Sequence, residues 1–128
     1  MIGITAKDKQ TEAFKQVAVD ITRLIHFGGY EVISDIVDMS APQIPDIKKY
    51  FDENPDMLPD NPYELDANTT SDLYRVNKIN DLTYDIEYDF VHGEKKSYMS
   101  LCMRFTHDAV EPYTTVEIQQ IRNNNSEV

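Results

Sequence analysis

Residues 82–91 read LTYDIEYDFV, and this stretch decides how the chain folds. Leu82, Tyr84, Ile86, Tyr88 and Phe90 alternate with Thr83, Asp85, Glu87 and Asp89, a period of two that suits the pleat of a strand and not a helix. Alternate side chains of a strand point to opposite faces, so the segment predicts one aromatic face turned to a core and one acidic face. The following HGEK, residues 92–95, reads as a tight hairpin connection, and residues 97–106 return with Met99, Leu101, Met103 and Phe105 on one side. Residues 73–79 are expected to pair before this hairpin. Residues 113–121, with Val116 and Ile118 in phase, are expected to pair after a turn containing Pro112. The sequence therefore predicts a four-stranded antiparallel β-meander.

Upstream, the period changes. From Thr11 to Phe27 the apolar residues Phe14, Val17, Ala18, Ile21, Leu24 and Ile25 recur at three- and four-residue steps, the stripe of an amphipathic helix. Thr11 or Asp8 can supply its N-cap oxygen, and Gly28-Gly29 tolerates the left-handed geometry that ends a helix. Residues 30–38 place Tyr30, Ile33 and Val37 on one helical side and predict a short second helix. A third starts near Pro42 or Pro45, carries Ile47, Tyr50 and Phe51, and stops at Asn54-Pro55. Residues 52–71 combine Pro55, Pro59 and Pro62 with six acids and no base, which predicts an extended, partly ordered loop. The whole reads as an α+β protein, N-terminal helices packed on the meander. One domain is expected over residues 1–122, with 123–128 as a flexible tail.

At 128 residues the chain can bury a core without metal or disulfide, and its single cysteine, Cys102, excludes an internal bridge. The opening residues lack a basic segment followed by an apolar run, so cytoplasmic residence is expected. No apolar stretch approaches a membrane span. The formal net charge is -11, of which residues 50–94 supply -10: twelve acids there face only Arg75 and Lys78. Such a field disfavours direct contact with nucleic acid or anionic lipid and favours a cationic partner.

Motifs that carry catalytic or metal chemistry are largely missing from the sequence. Cys102, His26, His92 and His107 are scattered, without the close spacing of a zinc site. The acids of residues 52–66 lack the spacing and the glycine of an EF-hand loop. Gly28-Gly29 follows a helix and not a strand, which removes the phosphate-cradle reading. Cys102 is expected to be a packed or half-exposed structural residue. His92 and His107 sit in successive turns of a meander and should lie at opposite ends of the sheet. Asp85, Glu87 and Asp89 share one strand face, a spacing open to a carboxylate-pair reading but expected to be a solvent-facing acidic row. No catalytic residue, metal or cofactor is therefore expected.

Like charges held side by side on a strand cost stability, which suggests that something offsets them; a basic protein surface would do so. The candidate partner-binding residues are Asp52, Glu53, Asp56, Asp60, Tyr63, Glu64, Asp66, Asp72, Tyr74, Asp85, Glu87, Asp89 and Glu94. Tyr63 and Tyr74, with Tyr98 and Tyr113, are candidates for partly exposed aromatic anchors, whereas Tyr84 and Tyr88 are expected in the core.

The element order, with HFGGYEVI at residues 26–33, SAPQIPDIKKYF at 40–51 and YTTVEIQQIRN at 113–123, resembles small acidic bacterial immunity proteins of polymorphic and contact-dependent toxin systems. That resemblance implies a binding protein that neutralises a basic toxin. Nuclease toxins fit best, because a polyanionic substrate demands a cationic enzyme. Helices opening onto an antiparallel sheet also look like the NTF2-like fold, which implies as the alternative a small-ligand-binding domain or enzyme with a pocket on the concave face of the sheet.

Overall fold

In a computed structural model, residues 10–65, 72–93, 95–110 and 113–123 are described. The chain begins with α1 (Gln10–Phe27), α2 (Tyr30–Ile36), a short β1 (Met39–Ser40) and α3 (Ile44–Glu53). Two 3-10 turns follow (Pro55–Met57 and Pro62–Glu64), then β2 (Tyr74–Lys78), β3 (Thr83–His92), β4 (Lys95–His107) and β5 (Thr114–Asn123). Gly28 adopts φ +77° immediately after α1, the left-handed stop that the Gly28-Gly29 pair predicts. Thr11 lies inside α1 and so does not cap it; Asp8 lies outside the described residues.

The sheet corrects the four-stranded antiparallel meander. It has five strands in the order β1-β5-β4-β3-β2, and although β2 to β5 form the expected antiparallel run, β1 adds a parallel edge, making the sheet mixed. Asp38 N–H donates to Val116 O (2.8 Å), Ala41 N–H donates to Ile118 O (2.9 Å), and the Asp38 carboxylate accepts from Val116 N–H (2.8 Å). Two residues are too few to show a period, so this strand left no signal in the sequence.

The alternation in β3 works as read. Ile86, Tyr88 and Phe90 turn inward beside Met99, Leu101, Met103 and Phe105 of β4 and Val116 and Ile118 of β5. The β4–β5 register shifts after Cys102, which pairs with Gln120 while Met103 pairs with Ile118. The extra residue, Gln119, forms a bulge that lets Ile121 rejoin the inner face three positions after Ile118. Onto this face α1 lays its stripe: Phe14 stacks on Phe105 with ring centroids 4.3 Å apart and touches Tyr84 at 5.4 Å. Phe51 of α3 meets Phe90 at 6.3 Å. The inner face of the sheet is therefore covered by Phe14, Ile21 and Ile25, where the pocket of an NTF2-like fold would have to open.

The acidic connection is more structured than expected in its described part. His26 Nδ1–H donates to Pro59 O (2.8 Å), His92 Nδ1–H to Leu58 O (2.6 Å), and Asp60 N–H to Val91 O (2.6 Å). Residues 54–65 are thus fastened to the end of α1 and to the β3–β4 hairpin, with Pro59, Asn61 and Pro62 buried. Residues 66–71 lie outside the described part. Asn123 closes β5 instead of opening a tail, and residues 124–128 lie outside the described part.

Candidate functional site

The acidic face of β3 is matched by arginines from the three other antiparallel strands. Antiparallel register sets Arg75 of β2 opposite Glu87, and Arg104 of β4 opposite Asp85. Arg75 grips Asp89 with both terminal nitrogens (2.8 and 2.7 Å) and reaches Glu87 at 2.9 Å. Arg104 holds Asp85 through two bonds of 2.7 and 2.9 Å. Arg122 of β5 donates to Glu87. Ser100 Oγ–H adds a third donor to Asp89 at 2.7 Å.

The offset to like-charge repulsion is therefore intramolecular, three guanidiniums against three carboxylates, and no outside partner is needed to supply it. Nor is the row simply solvent-facing: Asp89 is only 2% exposed. Contact with Asp89 raises the affinity of Arg75 for its proton, and burial raises the Cys102 thiol, which lies on the same face and is buried. A buried thiol with a raised pKa lacks the thiolate character of an activated nucleophile.

The sequence brought these acids together with those of the loop, but the structure separates them by environment. Asp52 pairs with Lys48 (2.6 Å), and Asp60 accepts from Gly93 N–H (3.2 Å). Among the described residues, Glu53, Asp56, Glu64 and Asp72 are exposed and make no ion pair. Asp66 and Glu94 lie outside the described residues. Tyr74 is corrected as an anchor: it faces inward opposite Tyr88, its hydroxyl is buried without a hydrogen-bond partner among the described residues, and burial raises its phenol. Tyr88 is in the core as expected, with Tyr84 packed against it.

Tyr63 stands out from the loop. The Asn61 side chain accepts from Tyr63 N–H (3.1 Å) and shapes the turn that presents it. Its hydroxyl donates to Asp20 and accepts from Gln16 Nε2 (2.7 Å), both on α1, and the Asp20 bond holds the phenol above its ordinary range. Arg23, one turn further along α1, lies over the Tyr63 ring (5.0 Å to the centroid) and over Phe27 (5.6 Å). Sequence reading did not single out Arg23 or Phe27. The available signal was an i, i+4 Arg–Phe pair outside the apolar stripe, ending on an aromatic that the stripe does not need.

Among the described residues, clefts lie beside these features, and one of about 430 Å³ lies on the acid–arginine row itself between Arg75, Glu87, Cys102 and Arg122. A cleft of about 230 Å³ at the foot of Tyr63 is lined by Glu12, Lys15, Gln16, Val19, Pro62 and Leu65. An apolar cleft of about 300 Å³ lies between α3 and the β4–β5 end, with Tyr50, Phe51, Met99 and Ile121 on its walls. His92 and His107 sit at opposite ends of the sheet, as their pairing with Lys95 and Thr114 requires. No cluster of three or more metal-ligating side chains occurs among the described residues, and none of their helices is long and apolar enough to cross a membrane. No protein-family model matches this chain, and neither a curated protein nor a solved structure does.

Proposed function

We propose that this chain is an inhibitor of the immunity class, a cytoplasmic protein that binds a basic toxin, with a nuclease as the favoured target, and blocks it by occupation and not by catalysis. One observation carries the reading. Glu53 at the end of α3, and Asp56 and Glu64 in the connection that follows, are exposed and make no ion pair among the described residues, and that connection is fastened at Leu58, Pro59 and Asp60. A charge that no internal cation offsets costs self-repulsion in the free protein and is relieved by a cationic surface. A fastened loop also loses less conformational entropy on binding than a loose one.

Within this reading the interface lies on the loop side, and Asp85, Glu87 and Asp89, already engaged by arginines, take a structural part. The test is purification of the untagged protein from its native cell at low salt, a salt step, and mass spectrometry of what is released. A stoichiometric basic protein that no longer associates with the Glu53→Lys/Asp56→Lys/Glu64→Lys variant is the expected result. The protein emerging alone, or with an acidic companion, would overturn the proposal.

A further inference from the structure

Phe27 is 63% exposed and Tyr63 is 52% exposed, yet neither is loose. Arg23 sits between their rings, His26 packs edge-on against Phe27 (4.7 Å, 84°), and Asp20 and Gln16 hold the Tyr63 hydroxyl. His26 is itself bonded to Pro59, which ties the patch to the loop. Holding two aromatic rings in water around a guanidinium brings little to a solitary chain, because exposed cation–π contacts are weak. The same group matches the centre of a protein interface, where Tyr, Phe and Arg are enriched, rigid rings bind at low entropic cost, and charged residues form the rim.

The rim supplies the chemistry of the partner. Asp20 and Glu64 flank Tyr63, and Glu12 lines the cleft at its foot, whose floor carries Val19, Pro62 and Leu65. A lysine or arginine from a partner would lay its aliphatic stem on that floor and bring its charged head to Glu12. Lys15 lines the same cleft but already interacts with a group of its own.

Resting on the reading of the chain as an inhibitor of a basic protein, we infer that Arg23, clamped between Phe27 and Tyr63, is the centre of the docking surface. Glu12, Asp20 and Glu64 form its acidic rim, and a basic side chain of the partner fills the adjoining cleft. The arginine-covered face of the sheet lies outside this contact.

The experiment places a photo-reactive residue at two exposed sites in the native cell, Phe27→benzoylphenylalanine and, at the far end of the sheet, Val110→benzoylphenylalanine. Adducts are identified by mass spectrometry. An adduct from position 27 with a basic protein is expected. With that protein in hand, Tyr63→Ala and Arg23→Ala should each weaken binding about 10- to 30-fold, and Tyr63→Phe, which keeps the ring, should weaken it less. Circular dichroism of each variant separates lost contact from lost fold. A basic protein captured from position 110 and not from 27 would overturn this surface and leave the inhibitor reading standing. A partner at position 27 that is not basic, or no adduct at either site, would overturn both.

Discussion

Replacing Arg75 with methionine keeps the aliphatic bulk of the side chain and removes only the guanidinium. Asp89, 2% exposed, would then lose two of its bonds, those of 2.8 and 2.7 Å, and keep the one from Ser100 at 2.7 Å. Removing one member of a buried charge pair costs about 3–5 kcal/mol. The outer side of Arg75 is 48% exposed, so water can enter the vacated space, and the expected loss is at the lower end, about 3 kcal/mol. Arg104→Met is the control: it breaks an equally bidentate pair with Asp85, but those side chains are 36% and 28% exposed, and the expected loss is below about 1 kcal/mol. Urea denaturation followed by circular dichroism measures both, with an unchanged slope confirming that the denatured state is comparable. The double variant Arg75→Met/Asp89→Asn should recover about 1 kcal/mol or more of the single loss, because no charge remains buried. Equal losses for Arg75→Met and Arg104→Met, or a double variant showing no recovery, would refute the assignment of the network's stability to the burial of Asp89.

Three further outcomes follow from particular contacts. Phe14→Ala empties the seat between α1 and the β3–β4 face and should cost about 3–5 kcal/mol in the same denaturation assay. Gly28→Ala should cost about 1 kcal/mol by thermal melting; with no atom near the added Cβ, the whole loss comes from holding φ at +77°. Burial pushes the Tyr30 and Tyr88 phenols up to about 12 from an ordinary value of 10.0. Folding therefore protects their protons, so their contribution is fully present below about pH 10 and declines toward pH 12, by about 1.4 kcal/mol per pH unit per tyrosine. With no tryptophan in the chain, phenolate absorbance reads this directly, and a cooperative step coincident with loss of circular dichroism is expected, whereas a gradual titration with the fold intact would contradict it.

Period and punctuation made most elements legible. The two-residue alternation of residues 82–91, the α1 stripe and the Gly28-Gly29 stop are local properties of the chain, and local sterics determine them wherever the chain lies. The concentration of acid in residues 50–94 is likewise a property of composition alone. What the local pattern could not show was which charges have partners. Asp85, Glu87 and Asp89 look identical in sequence to Glu53, Asp56 and Glu64, but sheet register brings Arg75, Arg104 and Arg122 across from other strands to the first three. Tyr63 and Tyr74 looked equivalent as well, until strand pairing turned one into the core and loop fastening held the other in solvent.

The helices, the long strands, the inward face of the sheet and the sign of the surface charge follow from the order of residues, because each depends on residues close together in the chain. Tertiary structure alone decided the parallel β1 edge, the neutralisation of the acidic strand and the joining of Arg23 and Phe27 to Tyr63. Those depend on pairings between segments tens of residues apart, and a Coulomb or ring contact acts over a few ångströms of space whatever the separation along the chain.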